Sequence, residues 1–236
     1  MGRAFEYRKA AKMKRWGNMS RVFPKLQKAI TIAAKNGGAN PDTNPALRTA
    51  ITTAKAQNLP KDNIEAAIKR ATAKDAADLS EVNYEGKWQH GVLVFVEAAT
   101  DNNTRTVANI KNIFKKAGGE IVPTGSLEFM FSRKAVFELK TPQIDMDELE
   151  MELIDAGLEE IRVDDEEHIS IIADYTDFGS MSKKLDEMQL EYEKGSLQRI
   201  PNSPIEISDE AMLELEALLD KLEDDDDVQN IYTNLA

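Results

Sequence analysis

The side chains of this 236-residue chain that could do chemistry are its carboxylates, its lysines and arginines, and two histidines; there is no cysteine. His90 and His168 are far apart, and neither has a partner four residues on, so the residues predict no transition-metal site. The acid run Asp164-Asp165-Glu166-Glu167 reads as a solvated hairpin turn. A second run, Asp224 to Asp227, lacks the alternating oxygens and central glycine of a calcium loop. No GxSxG elbow, GxxxxGK[ST] loop or GxGxxG loop occurs. Gly37-Gly38 and Gly118-Gly119 fall where helical patterns end and read as terminators. No metal, cofactor or small-molecule substrate is expected. A nucleic-acid hydrolase would need carboxylates and a metal beside the cations, and the acids lie in other predicted domains.

The cations are the constellation with a physical consequence. Residues 1–70 carry 15 Lys and Arg against four acids, a charge of about +11, and the rest of the chain carries 15 against 38, about −23. The net charge of −12 therefore hides a basic N-terminal unit on an acidic body. Such a unit fits a polyanion approached from one end. If about six cations touch phosphates, the log–log salt slope on duplex DNA is near about −5. Such contacts position a protein and carry little sequence information. Phe5, Tyr7 and Trp16, set among the cations, would stack on unpaired bases or pack the arm onto the helices behind it. The competing arrangement docks the basic unit on the acidic body of its own chain, and it predicts weak, salt-insensitive binding.

These residues need elements to hold them. Residues 1–21 lack an apolar stripe and read as an arm that orders on a partner. Phe23, Leu26, Ile30 and Ala33 predict one helix. Leu47, Ala50, Ile51 and Ala54 predict a second. Ile64, Ala67, Ile68 and Ala71 predict a third, with Asp62 as N-cap and Glu65 three residues on. Residues 72–80 read as a linker. Strands are then predicted over 92–98, 127–131, 135–139, 160–163, 169–173, 197–200 and 228–232, with 205–207 extended. Helices are predicted over 103–117, 146–156, 178–188 and 209–222. Residues 135–200 spell β-α-β-β-α-β, a split βαβ, ferredoxin-like order. The flanks combine into a second unit of that type.

The expected fold is thus α/β in the α+β sense: an N-terminal three-helix domain, then two ferredoxin-like βαββαβ-type domains, one inserted in the other. The boundaries are 1–21 for the arm, 22–80 for the helical domain with its linker, 81–132 with 203–236 for a discontinuous α/β domain, and 133–202 for the insert. Two consecutive domains are the alternative. No run approaches the roughly 20 apolar residues of a membrane span. The basic start has no apolar core behind it, so a secretory signal is not expected; a mitochondrial presequence fits less well for want of serine. A cytoplasmic protein with no membrane partner is expected.

Several stretches resemble the YebC/PmpR family of probable transcriptional regulators, whose mitochondrial relatives activate translation. They are YRKAAKMKR (Tyr7 to Arg15), Phe23 to Ile51, Asn58 to Ala71, YEG (Tyr84 to Gly86), TDNNTRTVA (Thr100 to Ala108), GSLEFMF (Gly125 to Phe131) and LEDDDDVQNIYTN (Leu222 to Asn234). The chain departs from the family at GRAFEY (Gly2 to Tyr7) and at KWQHG (Lys87 to Gly91). The resemblance implies three domains and a cytoplasmic, non-enzymatic DNA-binding regulator. The alternative it implies is a ribosome-associated translation factor on structured RNA. The nucleic-acid surface it implies comprises Arg8, Lys9, Lys12, Lys14, Arg15, Arg21, Lys25, Lys28, Lys35, Arg48, Lys61, Lys69 and Arg70. Arg105 is a second candidate, with a capping and packing role as its alternative. The acidic α/β domains are left to recruit a protein partner.

Overall fold

A computed structural model describes residues 19–72, 79–163 and 168–236. The arm up to residue 18 and the run Asp164 to Glu167 lie outside them. The chain divides into two compact units: Met1–Lys25 with Asp75–Ser132 and Ile200–Ala236, and Leu26–Lys74 with Arg133–Arg199.

The helices are α1 (Met19–Gly37), α2 (Pro45–Ala56) and α3 (Lys61–Thr72). Of the expected stripe positions, Ile30, Leu47, Ala54, Ile64 and Ala67 are buried; Ala34 and Leu59, which the stripes did not include, are buried too, and Ala33 is only partly so. One side chain closes the α1–α2 corner. Asn44 caps α2 by accepting the Leu47 N–H at 3.0 Å, and its amide donates to the Ala33 and Gly38 carbonyls at 2.8 Å each. A Cβ on Gly37 would lie 2.6 Å from that amide, so glycine is what fits there. The expected cap of α3 is corrected. The helix begins at Lys61, which places Asp62 inside the first turn, where a carboxylate still favours the exposed N–H groups.

Within the second unit these helices join a four-stranded sheet of β4 (Phe131–Lys140), β5 (Leu158–Val163), β6 (His168–Asp174) and β7 (Tyr192–Pro201), in the order β5-β6-β4-β7. The helices α5 (Met146–Ile154) and α6 (Phe178–Glu187) complete the split βαβ order expected for residues 135–200. The core is Phe137, Leu139, Leu149, Leu153, Ile169, Ile171, Met181 and Leu185, with Phe178 stacked on Phe137 at 5.1 Å. Helix α2 packs on α6, and at β7 the Tyr192 hydroxyl lies 3.4 Å from that of Thr49 and 3.3 Å from that of Ser182. A Cβ on Gly195 would sit 2.5 Å from the Thr49 methyl and 3.1 Å from the Phe137 ring. Gly195→Ala is therefore expected to destabilise this unit by about 1–3 kcal/mol, read by calorimetry. Unchanged stability would mean that α2 yields freely.

The other unit holds a second four-stranded sheet, β1 (Ser80–Lys87), β2 (Leu93–Thr100), β3 (Glu120–Val122) and β8 (Val228–Thr233), in the order β3-β1-β2-β8. All its pairings are antiparallel, with Glu85 opposite Phe95 and Val94 opposite Thr233. Helices α4 (Asn103–Lys116) and α7 (Asp209–Glu223) bury Ile110, Phe114, Leu215, Leu218 and Leu222 against Trp88, Val92, Val94 and Val96. A smaller cluster of Phe95, Leu127 and Phe131 is separate from that core.

The α+β class and the two sandwiches are as expected, but several strand assignments differ, and β3 (Glu120–Val122) was not expected. Ser80, placed in the linker, and residues 81–87, given no element, form the central strand β1. The expected strand over 127–131 is instead a 3-10 turn, Glu128–Met130, that leads into β4. Ile205 makes only an isolated bridge to Leu235.

Candidate nucleic-acid interface

Of the expected phosphate contacts, Arg8, Lys9, Lys12, Lys14 and Arg15 lie outside the described residues, and Arg21 falls in the first turns of α1. The rest are placed by the helices. The Arg70 guanidinium donates to the Gln27 side chain and to the Ala66 carbonyl, and the Thr31 hydroxyl donates to the Ala67 carbonyl at 3.1 Å. These contacts run α1 and α3 antiparallel. Lys69 and Arg70 therefore stand at the end of α1 to which the arm is joined, and Lys35 and Lys61 stand at the opposite end. Lys35, Lys61, Lys69 and Arg70 are exposed, and Lys61 pairs with Glu65 at 3.6 Å. Lys55, which the sequence reading left out, is exposed at the end of α2. Lys35, Lys55, Lys69 and Arg70 fall in last helical turns, where a cation also stabilises the exposed carbonyls.

Three expected contacts are less available. Lys25 donates to the Glu223 carbonyl at 2.8 Å. Lys28 is only partly exposed. Arg48 pairs with Asp186 of α6 at 3.5 Å. Part of the basic unit thus rests on an acidic partner within its own unit, through α2, while the cations on α3 face solvent.

Arg105 is exposed but tied to a buried carboxylate. Its backbone N–H is taken by the N-cap Asn102 at 3.0 Å, and its guanidinium reaches Asp101 at 3.0 Å and Asp227 at 2.7 Å. Asp227 is buried and also accepts the hydroxyls of Thr100 at 3.1 Å and Thr106 at 2.8 Å. The hydrogen bond that Arg105 donates to Asp227 raises its pKa above the ordinary value. The phenol of Tyr84 is likewise raised, first by burial and then by Asp227 and Asp225. The last acid of the 224–227 run therefore locks the start of α4 to the turn before β8. Among the described residues, no group of His, Asp and Glu is placed to hold a metal ion.

The sequence reading missed Glu85. This fully buried carboxylate on β1 accepts the N–H of Gly125 at 2.6 Å and that of Leu127. On the same turn, Asn202 takes the Phe129 carbonyl at 2.9 Å through its side chain and the Met130 carbonyl at 2.9 Å through its backbone. Phe129, so held, is 73% exposed. A glutamate between tyrosine and glycine carries no signal that it will be buried. Among the described residues no helix is long and apolar enough to cross a membrane.

Three helices followed by two four-stranded sheets, each with its own helices, define an α+β protein. A family model described as the TACO1/YebC protein N-terminal domain matches residues 3–74, and one described as the TACO1/YebC second and third domain matches residues 79–235. The chain belongs to the TACO1/YebC family. It is 62% identical over 235 residues to a probable transcriptional regulatory protein of Campylobacter fetus subsp. fetus, with 100% of both chains covered. A probable transcriptional regulatory protein of Wolinella succinogenes is 60% identical over 238 residues, again with 100% of both covered. The crystal structure of a conserved hypothetical protein from Aquifex aeolicus superposes with a TM-score of 0.82 at 33% identity, covering 93% of this chain and 90% of that one.

Proposed function

We propose that this chain is a non-enzymatic, cytoplasmic regulator of transcription that grips the phosphate backbone of DNA with its basic arm and α3. The observation that carries the reading is the charge division: 15 cations against four acids in residues 1–70, on a chain of net charge −12. The exposure of Lys61, Lys69 and Arg70 supports it, because solvated cations are free to displace counterions. The regulatory names of the full-length relatives support it too. Arg105, with its guanidinium held by Asp227, serves the fold more than the interface in this reading.

The test replaces Lys9, Lys12, Lys14 and Arg15 by glutamine. Duplex DNA affinity is expected to fall, and the log–log salt slope to flatten by about 3 to 4, since each lost phosphate contact removes about 0.9. Unchanged affinity and slope would remove the arm from the interface. In-cell crosslinking separates the targets: promoter-restricted DNA is expected, and ribosomal RNA as the dominant adduct would replace the reading with a translation factor.

A further inference from the structure

We propose that the outer face of α5 is a docking surface for a cationic amphipathic helix of a partner protein. Helix α5 has two stripes. Leu149 and Leu153 point inward and are fully buried. Asp147, Glu150, Met151 and Ile154 occupy the i, i+3, i+4 and i+7 positions of the other face. Met151 is 72% exposed and Ile154 60%, so two large apolar side chains one turn apart stand in water. A single exposed apolar residue is ordinary; a pair on one stripe, interleaved with carboxylates, is a surface with a pattern.

The charge around the pair selects the occupant. Residues 145–163 hold eight carboxylates and one cation, Arg162. The nearby cations are already used: Arg162 makes two bonds to Glu160, at 2.9 and 2.8 Å, Lys184 holds Glu152 at 2.6 Å, and Lys134 holds Glu159 at 2.6 Å. Asp147, Glu148 and Glu150 are exposed, and their side chains make no ion pair or hydrogen bond among the described residues. A nucleic acid is repelled from such a face. A purely apolar partner would strip water from Asp147 and Glu150 without replacing it. A segment with Lys or Arg beside Leu or Phe at helical spacing satisfies both halves of the pattern, as amphipathic helices do on apolar faces rimmed by charge. No residue of this surface belongs to the basic unit, so the proposal stands apart from DNA binding.

The experiment uses the full chain and two labelled synthetic peptides of equal charge, one a helix-forming Lys/Leu peptide and the other its Lys/Ser counterpart, with no nucleic acid present. The Lys/Leu peptide is expected to bind at least about tenfold more tightly, and M151S/I154S to remove about that advantage. Both positions are exposed, and matched far-UV spectra establish that the fold is kept. D147N/E150Q is expected to weaken binding and to flatten its salt dependence. Equal affinity for the two peptides, or an M151S/I154S affinity within about twofold of the parent, overturns the proposal.

Discussion

Glu85→Ala is expected to destabilise the first sandwich by about 3 kcal/mol, seen as a lower urea midpoint by Trp88 fluorescence in a chain carrying Trp16→Phe. Trp88 is buried in that core and reports on it. The carboxylate of Glu85 has no exposure, and its hydrogen bonds go to the N–H groups of Gly125 and Leu127. Bonds to a charged acceptor contribute about 1.5–3 kcal/mol each, and their loss leaves a buried N–H facing a cavity. Glu85→Gln keeps the shape and one acceptor, so it should cost less. The second consequence is local: the turn that carries Phe129 loses an anchor, and the amides of Gly125 and Leu127 should exchange faster than those of β2. If Glu85→Ala left both the midpoint and these amides unchanged, the anchor would not exist.

Asp227→Ala is the other large effect, at about 3 kcal/mol. The Asp227 side chain gathers the guanidinium of Arg105 and the hydroxyls of Thr100 and Thr106, and its own carbonyl accepts the Ala99 N–H at 2.7 Å. Removing the carboxylate takes an acceptor from two buried hydroxyls, which keep each other and Asn102 as partners, and frees the start of α4 from the turn before β8. Asp227→Asn should lie between, keeping one acceptor oxygen without the charge. The paired readout is DNA affinity. Arg105→Ala should lower the urea midpoint and leave the salt slope of DNA binding unchanged. A slope flattened by about 1 would instead return Arg105 to the interface.

These two sites mark where sequence reasoning stopped. The helices were legible because their apolar spacing agreed with their ends: α4 runs Asn103–Lys116 against an expected end one residue later, with Gly118 at φ +76° closing it. In the second sandwich β4 and β6 were legible through their apolar runs over 135–139 and 169–173, whereas β7 begins five residues before the expected 197–200. Strand β1 was not. SEVNYEGK holds two glutamates, an asparagine and a glycine, all poor strand formers, and it is a strand because β2 and β3 pair with it from both sides. Gly86 lies under the Phe114 ring, where a Cβ would come within 2.3 Å, so the residue that argued against a strand is there for close packing. The opposite error came from Leu127, Phe129 and Phe131, whose alternation imitates a strand. Leu127 and Phe131 pack with Phe95, and Phe129 points to water. The Arg105–Asp227 pair was out of reach for a simpler reason: it links positions 122 residues apart.

The pairing of β2 with β8 implies an order of assembly. The Leu93 N–H meets the Asn234 side chain across 141 residues of chain, whereas β4 to β7 span only 131–201. Long closures form late because chain entropy is lost before contacts repay it. Strands β4 and β7 are neighbours, so once the insert folds, its entry and exit emerge side by side, and Asn202 fastens them through Ser132 and Met130. The folded insert then acts as a short tether in place of a long slack loop, and each halving of effective loop length relieves about 0.6 kcal/mol. Kinetically, the insert is the clasp that lets the sheet around it close.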